Sequence, residues 1–337
     1  MRDEKHYLVL GGAGFIGSHL VRRLLSEGHA VTIINRSPVT MIERKFPDKF
    51  GRNRLEIVQG NFDDEGLLDH FLPNCTSCIH LAGSMVPSVS IENKLADIQI
   101  NLAGTVKLLE TARRHRLKKL IYISSGGTVY GQTTAQSISE DHPTDPISAY
   151  GITKLAAEKY LQLFHRLHDL PSITLRLANP YGPGQAEKGT QGAIAVFVER
   201  ILQGKPVEIW GDGSTVRDYL FIDDVVEAIL KAIEYSGPQT IFNIGSGQGT
   251  SLNDLCVQIG RHFPPFEKSF THKRSFDVPR NVLDISRARA NLHWHPRISL
   301  ADGISRYIAW RKSHGAAQFL KVGTVATTSR LEASEPL

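Results

Sequence analysis

Between the short apolar run Tyr7-Leu8-Val9-Leu10 and an amphipathic stretch reaching about Glu27, the chain carries Gly11-Gly12-Ala13-Gly14-Phe15-Ile16-Gly17. Gly11, Gly14 and Gly17 at this spacing let a strand turn sharply into a helix. They also let the backbone approach a pyrophosphate, which then rests on the helix N-terminus. Any tight strand-to-helix turn favours glycine, so the spacing alone is a weak sign. The strand before it, the helix after it and its place near the start of the chain together point to dinucleotide binding.

The strand–helix rhythm continues. Ala30-Val31-Thr32-Ile33-Ile34, Leu55-Glu56-Ile57-Val58, residues 77–81, Leu120-Ile121-Tyr122-Ile123 and Ile173-Thr174-Leu175-Arg176-Leu177 read as strands. Helical patterns separate them, notably residues 101–115, with Leu102, Val106, Leu109 and Ala112 on one face, and residues 150–168. This alternation predicts an α/β fold with a doubly wound, Rossmann-type parallel sheet covered by helices on both faces. The dinucleotide unit is expected over residues 1–177, with 215–245 returning to it. Beyond Asn179 glycine and proline become frequent. Residues 178–214 and 246–312 are expected to form a smaller substrate-binding α/β region at the strand ends, where open sheets bind ligands. Residues 313–337, rich in Ala, Thr, Ser and Glu, predict a loosely held tail.

Composition narrows the class. A chain of 337 residues with 41% apolar content buries a substantial core, which excludes a disordered chain, a fibre or a small disulfide scaffold. No apolar run approaches the roughly 18 residues a membrane span needs, and the charged start does not read as a signal peptide. The net charge of +5 is spread along the chain apart from a cluster at residues 113–119. It suits anionic small molecules better than nucleic acid. Three cysteines fit a reducing, cytoplasmic setting. Cys75 and Cys78 form a Cys-x-x-Cys, but Cys256 alone does not complete a zinc site, so they read as core, and the histidines show no metal-binding spacing.

The second chemical motif is Tyr150-Gly-Ile-Thr-Lys154. Residues four apart share a helix face, and a lysine ammonium near a phenol favours phenolate, lowering the tyrosine pKa toward a working range. Such a pair is ordinarily a solvated helix face. Its place behind the strand that ends at Ser125 in a glycine-headed chain favours a proton-transfer pair instead.

These motifs, with His80-Leu81-Ala82-Gly83, Ser124-Ser125-Gly126-Gly127-Thr128-Val129-Tyr130-Gly131, Asn179-Pro180-Tyr181-Gly182-Pro183-Gly184, Val216-Arg217-Asp218-Tyr219 and Asn243-Ile244-Gly245-Ser246-Gly247, give a close resemblance to the extended short-chain dehydrogenase/reductase family. The chain is most similar to the NAD-dependent epimerase/dehydratase branch that includes UDP-glucose 4-epimerases. The resemblance runs in order from about Tyr7 to Trp310. It implies a nucleotide-sugar 4-epimerase working through a transient 4-keto sugar and bound NAD, on a UDP-hexose or UDP-N-acetylhexosamine. Tyr150 would be the base and Lys154 would hold the nicotinamide ribose. The resemblance assigns Gly11, Gly14, Phe15, Ile16, Gly17, Asn35, Arg36, Asn61, Phe62, Leu81, Ala82, Gly83 and Asn101 to the cofactor. It assigns Asn179, Trp210, Arg217, Arg274, Asp277 and Asn281 to the substrate; without it, Arg217 and Arg274 would read as surface charges and Trp210 equally as core. It also implies a homodimer built on the helices at 101–115 and 150–168, and a role in carbohydrate, including polysaccharide, metabolism.

Several positions depart from the pattern. Where relatives place a hydroxyl against the reacting oxygen, this chain has Gly126, so Ser125 or Thr128 must substitute; Thr128 lies further along the loop, which leans the choice to Ser125. Asn35 replaces the acid expected after the second strand and Arg36 follows it, which leaves NADP open. Asn61 replaces the acid usual near the adenine. Asn281 replaces a bulky sugar-pocket residue and leaves room for an N-acetyl group. Three other readings remain. Asn35-Arg36 favours an NADPH-dependent 4-ketoreductase, and Gly126 makes a non-catalytic sugar-nucleotide sensor conceivable. A 4,6-dehydratase fits less well, because Gly127 and Thr128 stand where that branch carries an acidic pair.

Overall fold

The computed structural model describes residues 4–46, 52–83, 93–185, 192–272 and 278–322. Seven strands form its central sheet: β1 (His6–Leu10), β2 (Ala30–Asn35), β3 (Leu55–Gln59), β4 (Ser77–His80), β5 (Leu120–Ser125), β6 (Ser172–Leu177) and β10 (Ile241–Ile244). They lie in the order β10-β6-β5-β4-β1-β2-β3, and every pairing is parallel. The chain winds outward from β1 to β3, then crosses back to place β4 beside β1. That reversal opens a crevice at the carboxyl ends of β1 and β4.

Helices α1 (Phe15–Ser26), α2 (Val39–Glu43) and α3 (Glu65–Phe71) connect the first strands. α4 (Lys94–Asp97) runs through a π-helical turn, Ile98–Ala103, into α5 (Gly104–Arg114), and α6 (Ala149–His168) follows β5. Because helices cover both faces, the strands are apolar at consecutive positions rather than at alternate ones. Val9, Ile33, Ile79, Ile121 and Leu175 face one core, whereas Leu8, Leu10, Cys78, Leu120 and Tyr122 pack with Leu108, Leu109, Leu161 and Phe164 in the other. Cys75, Cys78 and Cys256 are all buried and unpaired, in their expected role as core residues.

The smaller region follows: β7 (Asn179–Tyr181), α7 (Ala193–Leu202), β8 (Val207–Trp210) and β9 (Val216–Phe221) precede α8 (Ile222–Glu234) and β10. After them come β11 (Gly249–Ser251), α9 (Leu252–Gly260), β12 (Lys268–Thr271), β13 (Arg280–Asn281), α10 (Ser286–Leu292) and α11 (Leu300–Val322). Only part of 215–245 returns to the main sheet. α8 and β10 do, but β9 pairs with β7, β11 and β13 in a separate four-stranded sheet. The chain end also differs from expectation: α11 continues to Val322, through the good helix formers Ala316, Ala317 and Gln318, so the expected tail from 313 begins as helix. Among the described residues no helix is long and apolar enough to cross a membrane.

A buried polar network fastens α6 to the sheet. Arg176 of β6 pairs with Glu158 of α6 through Nε (3.1 Å) and Nη2 (2.6 Å), with the two side chains 3% and 1% exposed. Ser124 donates its hydroxyl to the same carboxylate, and Arg176 Nη1 donates to the Tyr130 hydroxyl at 2.9 Å, which donates onward to Asn243 Oδ1 at 2.6 Å. Removing one partner of such a pair leaves the other charge buried and uncompensated. Glu158→Ala is expected to lower unfolding stability by about 3–5 kcal/mol, read by urea denaturation. A loss below about 1 kcal/mol would show that water reaches Arg176 and that the network does not hold α6.

Candidate active site

The glycine turn builds one wall of the crevice. Gly11 has a φ of +83°, and a Cβ there would stand 2.9 Å from the Ala82 backbone nitrogen. At Gly17 a Cβ would lie 2.5 Å from the Gly11 carbonyl oxygen, so the first turn of α1 sits directly on the end of β1. No side chain caps α1 at Gly14 and its first turn carries no acid, which leaves backbone donors and the positive end of the helix dipole for an anion. The cavity, about 380 Å³, is lined by Gly11, Gly14, Asn35, Arg36, Asn61, Phe62, Leu81, Ala82 and Gly83 of the residues expected to meet the cofactor, and also by Ile34, Gly60, Asp63, Gln99 and Ile100. Phe15, Ile16 and Gly17 form the first turn of α1 and are not among the lining residues.

Tyr150 and Lys154 occupy the start of α6, which is N-capped by Ser148 accepting from the Gly151 N–H at 3.1 Å. Lys154 is buried and donates from Nζ to the Ile123 carbonyl at 2.9 Å. Its Nζ stands 4.8 Å from the centre of the Tyr122 ring and 5.8 Å from that of Tyr150. Burial lowers the Lys154 pKa to about 8, opposed by Glu158 and Asp97. The tyrosine departs from expectation: burial, reinforced by Asp97, pushes the Tyr150 pKa up to about 12. The Lys154 ammonium is directed at the Ile123 carbonyl.

Asp97, fully buried, joins the π-helical turn to α6 and was not apparent as a site residue from sequence. Its carboxylate accepts from Asn101 Nδ2 at 2.7 Å and from Thr153 Oγ1, next to Lys154, at 2.6 Å. The only sequence sign was a charge four residues before Asn101, on what reads as a solvated helix end. Held this way, Asn101 keeps Oδ1 buried without a partner. A Cβ on Gly83 would lie 3.2 Å from that oxygen and 3.8 Å from Lys154 Nζ. An unpartnered buried acceptor and a lysine, both close to the crevice-lining Gly83, fit the polar end of a dinucleotide.

At the end of β5, a Cβ on Gly126 would stand 2.6 Å from Leu283 Cδ1, so an apolar side chain occupies the space of the expected hydroxyl. Thr128 Oγ1 is buried without a partner, and the Thr128 carbonyl lies 2.6 Å from where a Cβ on Gly151 would be. Ser125 is half-buried beside it. Asn281, 1% exposed, donates Nδ2 to the Gly126 carbonyl at 3.0 Å and keeps Oδ1 unpartnered. Arg217 pairs in register with Asn281, and Asn179 with Tyr219, so these side chains share one face of the smaller sheet. Asn179 Nδ2 donates to the Asp218 carbonyl, and Arg217 Nη1 to those of Val216 and Val278. Trp210 ends β8 half out in solvent, with Nε1 donating to Glu208, rather than in the core. Arg274 and Asp277 lie outside the described residues.

Residues 7–245 match the family described as NAD dependent epimerase/dehydratase. The chain belongs to the NAD-dependent epimerase/dehydratase family. Among members of this family, a UDP-glucose 4-epimerase of Mycolicibacterium smegmatis is 40% identical over 306 residues, covering 89% of this chain and 96% of that one. The crystal structure of a UDP-glucose 4-epimerase with UDP-glucose from Thermotoga maritima superposes with a TM-score of 0.84 at 33% identity, over 92% of this chain and 99% of that one. A Thermus thermophilus UDP-glucose 4-epimerase in complex with NAD gives a TM-score of 0.81 at 30% identity, over 91% and 99%.

His80, at the end of β4, stays neutral. Thr105 gives its hydroxyl proton to the Asn101 carbonyl at 2.6 Å, so His80 Nε2 donates to Thr105 Oγ1 at 3.1 Å. Burial, with Lys154 nearby, lowers the His80 pKa from 6.5 to about 3. Between those values the unfolded chain binds a proton that the folded one refuses, so stability rises with pH across this window and is lost as pH falls through it. His80→Gln is expected to flatten the acid side of the stability profile between about pH 6.5 and 3, measured by urea unfolding at several pH values. An unchanged slope would mean that His80 is already protonated in the fold.

Proposed function

We propose that the chain is a nucleotide-sugar 4-epimerase that acts on a UDP-hexose or UDP-N-acetylhexosamine with bound NAD. The observation that carries the reading is the glycine-walled crevice, one of whose lining residues, Gly83, would bring a Cβ to 3.8 Å from Lys154 Nζ, on the helix that also carries Tyr150. The names of the Mycolicibacterium and Thermotoga relatives and the NAD held by the Thermus enzyme support it. When bound, the nicotinamide accepts a hydride and returns it, and in its oxidised form brings a positive charge that favours the Tyr150 phenolate.

The chain's own groups supply position and proton control. The N-terminus of α1 and the glycine turn hold the pyrophosphate; Lys154 and Asn101 hold the nicotinamide ribose. Tyr150 takes the proton of the sugar 4-hydroxyl through its phenolic oxygen and gives it back after the 4-keto sugar has turned over. Because Tyr150 resists ionisation in the free protein, filling the crevice is what brings it into range. Of the two hydroxyls available in place of Gly126, the buried, unpartnered Oγ1 of Thr128 favours Thr128 over Ser125 as the donor to the sugar oxygen. Arg217, with Arg274, meets the diphosphate; Asn179, Trp210 and Asp277 complete the nucleoside end. Asn281, compact and tied to Gly126, leaves room for an N-acetyl substituent.

The assembly proposed is a homodimer. Leu95, Ile98, Ile152, Tyr160, Leu163 and Leu167 expose apolar side chains on α4, its π-helical turn and α6, a face a second copy would cover. The mass in solution reads this directly. A cytoplasmic place in carbohydrate and polysaccharide metabolism accords with this chemistry.

Interconversion of UDP-glucose and UDP-galactose, and of the N-acetylated pair, is the direct assay. Tyr150→Phe is expected to lower kcat by at least about 10²-fold and Thr128→Val by about 10²-fold, with Ser125→Ala changing it only a few-fold. Substrate binding should persist in all three. Normal turnover by Tyr150→Phe would overturn the mechanism. Turnover only of a 4-keto sugar nucleotide, with net consumption of reduced cofactor, would move the assignment to a ketoreductase.

A further inference from the structure

In dinucleotide-binding sheets the adenosine ribose meets the end of the second strand. A carboxylate there bonds the 2′-hydroxyl, whereas an arginine accommodates a 2′-phosphate. Here β2 ends on Asn35, and Arg36 follows. The backbone is held on both sides at this point: the Gly11 N–H donates to the Ile34 carbonyl at 3.1 Å, and the Gly60 N–H to the Asn35 carbonyl at 3.0 Å. Both side chains line the crevice beside Asn61. Neither the Asn35 amide nor the Arg36 guanidinium has a hydrogen-bond or ion-pair partner among the described residues. Asp63 is the one carboxylate in that lining, and it follows β3, not β2.

An exposed arginine on a strand-to-helix connection is ordinarily a solvated charge. This one follows the strand end at which the usual carboxylate is absent, and it borders a cavity. We infer that the adenosine end of the crevice accepts a 2′-phosphate, so that the chain binds NADP at least as tightly as NAD, with Arg36 as the discriminating residue. Arg36 presents a planar fork of donors to the phosphate oxygens, while Asn35 removes the like-charge repulsion that an aspartate would impose and still bonds a ribose hydroxyl. Because Arg36 is exposed, the preference weakens as salt rises. The inference rests on the reading that the crevice holds a dinucleotide.

The test uses the adenosine half alone beside the whole cofactors. Adenosine 2′,5′-bisphosphate, adenosine 5′-monophosphate, NADP and NAD are titrated calorimetrically, by displacement where the protein retains nucleotide, into the wild type, Arg36→Ala and Asn35→Asp. The expected result is bisphosphate binding about tenfold or more tighter than the monophosphate, and NADP binding no weaker than NAD. Arg36→Ala should lose about tenfold for the two 2′-phosphorylated ligands and less than about threefold for the other two; Asn35→Asp should shift the preference the same way. A wild type that prefers NAD by tenfold, or an Arg36→Ala variant weakened equally for all four, would overturn the inference while leaving the dinucleotide reading intact. Binding of none of the four would overturn both.

Discussion

The contact on which the rest depends is the one between the start of α1 and the end of β1, where Gly17 lies against the Gly11 carbonyl with no space for a methyl group. Because α1 begins there, its unpaired backbone donors open onto the crevice rather than onto solvent. Because β4 returns to the other side of β1, Ala82 closes on Gly11 and carries Gly83 to the recess beside Lys154. A side chain at Gly17 would tilt the helix away and widen the gap that the anion must bridge. The same few ångströms therefore set the sheet's first crossover and where the start of α1 opens onto the crevice.

The second wall is held by a buried carboxylate that makes hydrogen bonds instead of an ion pair. Asp97 joins the π-helical turn to α6 and turns the Asn101 amide so that its oxygen faces the crevice. Its negative charge also acts on the chemistry, since it raises the proton affinity of both Tyr150 and Lys154. Burial and Asp97 together hold the Tyr150 phenol in its protonated form.

Much of this was legible in the sequence, for a physical reason. Buried parallel strands are short apolar runs, and glycines or capping residues end them, so β1 through β6, α1 and α6 fall within a residue or two of their expected places. The glycine turn and the Tyr150–Lys154 pair are local in sequence and were equally plain. What escaped was set at long range or by backbone geometry. Leu283 fills the space at Gly126 only because the chain after β13 bridges Ile138, far along the loop that follows β5. The π-helical turn has no side-chain periodicity to announce it, and Asp97 acquires its role only when α6 packs against that turn. The tyrosine's resistance to ionisation also depends on burial, which the spacing Tyr150-x-x-x-Lys154 does not reveal.

The central claim is that hydrogen leaves C4 of the sugar and returns to the same carbon within one closed site. UDP-galactose carrying deuterium at C4, turned over in ordinary water and analysed by mass and proton resonance, tests this most directly. The account predicts UDP-glucose with deuterium still at C4 and no reduced dinucleotide accumulating in solution. Product carrying protium at C4, or reduced dinucleotide appearing in step with product, would contradict it.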